Sequence, residues 1–188
     1  MTQQLGPGID QFVADLLAER GLRRHLHLDA AGNVAIGVAE IVSGPLDALE
    51  WKFYVDGRRA LPLEVAADFA RVELAGQAPP PGPYRPPEFF LAEPGRPRLV
   101  IEPAEAISRC KARTAMICDS IAAVLPGFWS CSSGPKRALV QLAYPTNGIT
   151  AWPGILGHAR ANDWAACGQL CASLSHDWIA RRFAEGAL

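Results

Sequence analysis

Eight of the chain's sixteen prolines fall between Pro79 and Pro97. Proline lacks a backbone N–H and fixes φ near −65°, so this stretch cannot form a helix interior or a central strand. It predicts a surface connection over residues 79–98 that parts the chain into an N-terminal helix and β region, 9–60, and a helical lobe, 102–188. The run Pro79-Pro-Pro-Gly-Pro-Tyr-Arg-Pro-Pro87 also has the composition of a polyproline-type interaction segment, with a rigid spacer as the simpler role.

Ahead of this connection, Ile9, Phe12, Val13, Leu16 and Leu17 recur at helical spacing, and Gly21 suits the stop. Arg24 to Leu28 alternates, Asp29-Ala-Ala-Gly-Asn33 carries turn chemistry, and Val34 to Val42 is apolar and β-branched, which together predict a hairpin. Gly44-Pro45 closes it. Trp51 to Val55 reads as a further strand, and Leu61, Val65, Phe69 and Val72 mark a helix. Behind the connection, Pro103 opens a long helix that Pro126-Gly127 stops near Leu125, and shorter helices follow over 136–144, 152–161, 164–173 and 173–183. The expected class is α+β, a single domain over 1–188 with one small antiparallel sheet over residues 23–57 and a mainly helical C-terminal lobe.

Charge narrows the partners. With 18 Lys and Arg against 19 Asp and Glu, and no basic run, the chain lacks the footprint of a nucleic-acid binder. No window reaches the roughly 18 apolar residues of a membrane span, and the first residues lack the pattern of a signal peptide, so a soluble protein is expected, its localisation open, with delivery to the cell envelope by another system as one route. Five cysteines cannot all pair within one chain. Cys167 and Cys171 lie four apart near His176, but no second Cys pair at metal-ligand spacing accompanies them, so buried helical thiols are the expectation and no metal is assigned. His25 and His27 alternate on a strand, as a metal would need, though solvent-facing or hydrogen-bonded histidines explain them as well. Ser130-Cys-Ser-Ser-Gly134 lacks the nucleophile elbow G-x-S-x-G, and no glycine-rich phosphate loop appears, so no cofactor is expected.

Between Arg20 and Glu40 the residues resemble the signature of phage-type lysozymes, the family 24 glycoside hydrolases, written E-G-L-x-L-x-A-Y-x-D-x-x-G-x-x-T-I-G-x-G-H. Gly21, Leu22, Asp29, Gly32, Ile36 and Gly37 match it without a gap. Arg137-Ala-Leu-Val-Gln-Leu-Ala-Tyr144 is similar to the family's A-L-V-S-F-A-Y-N-x-G helix, and Ile155 to Cys167 is similar to its segment before the terminal helix. The resemblance implies a lysozyme-like fold, with residues 43–98 as an insertion or divergence.

The departures fall on the chemistry. The family's catalytic glutamate aligns with Arg20, its threonine with Ala35, its Gly-His pair with Ala39-Glu40, and its Asn-x-Gly with Pro145-Thr-Asn147; only Asp29 of the catalytic set remains. Glycoside cleavage needs a carboxylic acid to protonate the leaving oxygen and a second carboxylate opposite. An arginine stays charged and cannot be that acid. Glu19 sits one residue early, rotated by about 100° on a helix, and Glu40 is the other carboxylate able to stand in; Arg20 could instead pair with Asp29. The candidate site is therefore Asp29, Glu19 and Glu40 for catalysis, with Arg20, Trp152 and Asn147 for substrate. The leading expectation is a catalytically impaired muramidase relative that binds peptidoglycan or a protein partner. An active muramidase with a relocated acid, and a structural part of a phage particle or secretion assembly, are the alternatives.

Overall fold

The computed structural model describes residues 8–29, 31–77, 99–146, 148–174 and 176–185, so the expectation for the proline-rich connection lies outside the described residues. The fold is α+β: eight α-helices and two three-stranded antiparallel sheets among those residues. The chain forms two compact units, one of residues 17–110 and one of residues 1–16 with 111–188.

In the 17–110 unit, helix α1 (Ile9–Arg20) ends where Gly21 turns left-handed, φ 71°, with its N–H donating to Leu17 O at 3.0 Å. Strand β1 (Arg23–Leu28) pairs with β2 (Val34–Gly37), which pairs with β3 (Glu40–Ile41). A short helix α2 (Pro45–Leu49) follows, then β4 (Phe53–Val55), β5 (Arg58–Arg59) and helix α3 (Pro62–Gln77). The single sheet expected over 23–57 is two sheets, and the second runs β5-β4-β6 with β6 (Val100–Ile101) drawn from beyond the proline-rich connection. Burial explains the correction: Phe53 and Val55 are almost wholly enclosed, and Phe53 lies opposite Ile101, itself fully buried. Two residues are too few for a strand to show a period in the sequence.

Guanidinium groups bond carbonyls on both outer strands of the second sheet. Arg24 Nε donates to Ile101 O at 2.9 Å on the β6 side, and Arg58 donates to Arg59 O at 3.2 Å on β5. Arg58 also binds Glu64 at 2.5 Å, while Glu64 reaches back to the Leu61 N–H at 2.7 Å, one half of a capping box at the start of α3. These donors hold the Glu64 carboxyl down at about 2. Trp51, 4 % exposed, anchors the core, with the Arg109 guanidinium 4.3 Å from its ring centroid and Gly37 packed so close that a Cβ there would come within 3.2 Å of the indole.

The other unit is helical. To residues 9–16 of α1 it adds the later part of α4 (Pro103–Val124), then α5 (Ser133–Thr146), α6 (Pro153–Arg160), α7 (Trp164–Ser173) and α8 (Asp177–Ala184). Helix α5 is enclosed over Ala138 to Tyr144, an apolar stretch in which Gln141 is the polar residue and is itself buried. Gly134 at its start permits a close approach: a Cβ there would lie 2.3 Å from Arg182 O. Asp15 is a buried charge of this unit, 7 % exposed. Both arms of Arg137 donate to it, Gln11 adds a bond at 3.3 Å, and Arg182 lies at 3.8 Å. Losing one member of such a pair strands the other in a poorly solvated place. Arg137→Ala is expected to cost roughly 3 kcal/mol, whereas Lys111→Ala, which removes the exposed pair with Asp10 at 2.6 Å, should cost less than about 0.5 kcal/mol; urea denaturation of the two variants measures both.

Candidate functional site

Glu19, Arg20, Asp29 and Glu40 all belong to the 17–110 unit, Trp152 belongs to the helical unit, and Asn147 lies outside the described residues. Asp29 follows the end of β1, and its carboxylate is turned inward on its own loop. Oδ1 accepts from the N–H groups of Ala31 at 2.9 Å and Asn33 at 2.8 Å, and Oδ2 accepts from Asn33 Nδ2 at 3.1 Å. The backbone closes the same reversal, Asp29 N–H to Asn33 O at 2.9 Å and Gly32 N–H to Asp29 O at 3.1 Å. Aspartate is favoured at such turns because its side chain satisfies N–H groups that no strand pairs. Among the described residues every bond to the Asp29 carboxylate comes from its own turn, and the suggested ion pair with Arg20 is not formed.

Arg20 ends α1, half-buried, where a cation complements the helix dipole. Glu19 is exposed beside it. Ala35, at the position of the family's threonine, is fully buried in β2 between His27 of β1 and Ile41 of β3. Glu40 is half-buried on β3 opposite Ile36. Ala39, just before it, holds φ 56°, a left-handed state uncommon for a residue with a Cβ.

The two histidines of β1 are buried, 7 % and 5 % exposed, so the solvent-facing reading of them gives way to the hydrogen-bonded one. His27 Nδ1 lies 3.2 Å from His25 O, and since a carbonyl only accepts, Nδ1 carries the proton. Burial pushes the His27 pKa below its ordinary value. In the helical unit Trp152 is half-buried, with its indole N–H given to Leu142 O at 3.1 Å and its ring edge-on to His176 at 5.8 Å. That is the bonding of a packing anchor. Cys167 and Cys171 are fully buried, and burial pushes their thiols up to about 12 and about 11. Cys118, also fully enclosed, is pushed up to about 12. Among the described residues no three His, Cys, Asp or Glu side chains gather as metal ligands would. Ser130 closes a 3-10 turn from Phe128, and α5 begins at Ser133, so this serine-rich stretch is a connection into a helix.

What the sequence offered for Asp29 was two signals in one place, a family position and a turn, and the geometry uses the second. Removing three acceptor contacts, Asp29→Ala should cost about 2 kcal/mol, and Asp29→Asn, which keeps an acceptor at Oδ1, less than half of that; thermal or urea unfolding of the pair measures it. No family model, no curated protein and no solved structure matches the chain.

Proposed function

We propose that this chain is a lysozyme-like binding domain without muramidase turnover, whose ligand is peptidoglycan or a protein partner. The observation that carries the proposal is conformational. Gly21, Gly32 and Gly37, the glycines shared with the phage-type signature, hold φ values of 71°, 85° and 66°, and the signature's remaining glycine falls on Ala39, which holds φ 56°. All four are left-handed, the state that makes glycine the favoured residue. The resemblance is thus supported by backbone geometry at four spaced positions, one of which is no longer glycine.

The loss of chemistry is supported by the same stretch. Arg20 stands in the acid's register and stays charged. Asp29 has both carboxylate oxygens engaged in its turn, so it would have to break the hairpin reversal to serve as a nucleophile or base. Ala35 offers no hydroxyl and has no exposed surface. Glu19, in solvent, lacks the apolar enclosure that keeps a carboxylic acid protonated at neutral pH.

Release of reducing ends from purified peptidoglycan tests the chemistry. General acid–base assistance contributes on the order of a hundred- to ten-thousand-fold in rate, so turnover at background is expected. Robust cleavage that disappears in Glu19→Gln or Glu40→Gln would overturn the proposal and identify a relocated acid. Co-sedimentation with insoluble peptidoglycan tests the first ligand class: retention assigns the glycan, and its absence removes the glycan and leaves the protein partner as the reading to test. The conformational argument has its own check. Ala39→Gly relieves a left-handed residue that costs roughly 1–2 kcal/mol, less the entropy that glycine adds to the unfolded chain, so a net gain of up to about 1 kcal/mol in unfolding free energy is expected.

A further inference from the structure

The ladder that binds β1 to β2 is uneven. Arg23 lies opposite Gly37 and His27 opposite Ala35, so four steps along β1 face two along β2, and the pairing resumes only at His27 and Leu28. Residues 24–26 therefore bulge, and there the strand is held by packing, with Leu26 fully buried, more than by paired backbone. His25 and His27 flank this point, both enclosed, with ring centroids 5.9 Å apart. His27 already gives Nδ1–H to His25 O, so a second proton must enter at Nε2 and place a full charge inside the unit.

We propose that His25 and His27 form an acid-sensitive latch on the β1–β2 hairpin: charging His27 in mild acid frees β1 from β2 and from the edge of β6 while the helices of residues 111–185 stay folded. The surroundings offer that charge little relief. On β1 itself, Arg23 opposes it, and so does His25 once protonated; Asp29 favours it, but the Asp29 carboxylate is committed to its turn. The facing strands β2 and β6 carry no titratable side chain. Helix α3, also packed on β1, carries Glu64, bound to Arg58, Asp68, ion-paired with Arg71 at 2.8 Å, and Glu73, exposed. Freeing β1 also withdraws Arg24 from Ile101 O, so the clasp between the two sheets opens with the hairpin.

The sign follows from linkage. A histidine in the open strand takes up its proton near its ordinary value of about 6.5, whereas in the closed strand burial holds His27 lower. The open form then binds more protons, and stability of the closed form falls as pH drops below about 6.5. One unit below that value the open population should rise, by at most about tenfold for a single group.

Amide hydrogen exchange on the whole chain, corrected for the intrinsic pH dependence of exchange, reads this directly. Between pH 7.5 and 5.5, protection of the amides in residues 23–28 and 34–37 should drop, by up to about tenfold, while protection in α5 stays constant, and His27→Asn, which keeps a donor in place of Nδ1 and does not titrate, should abolish the drop. Unchanged hairpin protection, a drop shared equally by α5, or a drop that survives in His27→Asn would each overturn the latch. Should that variant not fold, the wild-type ring decides: NMR titration must place His27 below its ordinary value, and a result at or above it sinks the proposal.

Discussion

Left-handed backbone at four positions between Gly21 and Ala39 is the constraint on which the 17–110 unit rests. Each of these residues ends one element and aims the next: α1 into β1, β1 into β2, and β2 through Gly37 and Ala39 into β3. Because side chains alternate along a strand, a slip of one residue at any of these reversals would exchange the buried and exposed faces. The Asp29 turn fixes the middle one, with backbone and side-chain bonds from Asn33 meeting on the same residue. Once β1 is set, Arg24 reaches Ile101 and ties the first sheet to the edge of the second. A substitution that disturbs the turn is thus felt at a carbonyl on the far side of the chain's proline-rich connection.

The helical unit solves a different problem, that of joining the N-terminal helix to helices more than a hundred residues away. Asp15 and Arg137 do so with a paired set of charge-assisted bonds whose planar geometry admits one orientation. Gly134, at the start of the helix that bears Arg137, lets the Arg182 carbonyl of α8 come close. Charge and shape therefore select the same arrangement of α1, α5 and α8. The remaining apolar helices need only fill the space around it.

Much of this was legible in the residues. The long helix behind Pro103, the turn at Asp29 to Asn33, the helix over 164–173 and the end of α1 at Gly21 all carry local signals, a period or a cap, and the structure has them there. Asp163 at the head of α7 even accepts the Ala166 N–H at 3.0 Å, as a cap should. Two of the short elements were not legible: α2 is shorter than two helical turns, and β6 is two residues whose partner lies across the proline-rich connection. Pairings across long separations, Asp15 with Arg137 above all, leave no mark on either neighbourhood. For the candidate site the sequence names positions without roles, because whether Asp29 serves a turn or a substrate depends on which donors meet its oxygens.

Four of the five cysteines, Cys118, Cys131, Cys167 and Cys171, lie in the helical unit, and none of the five is in a disulfide. Three of these four are fully enclosed, with thiols kept protonated by burial, so a soluble alkylating reagent meets them only when the helices part. The chain thus carries a native chronometer for one of its two units. Counting modified thiols against time records how often the helical unit opens, with Cys110 as the lone buried thiol of the other unit and half-buried Cys131 as the fast reference.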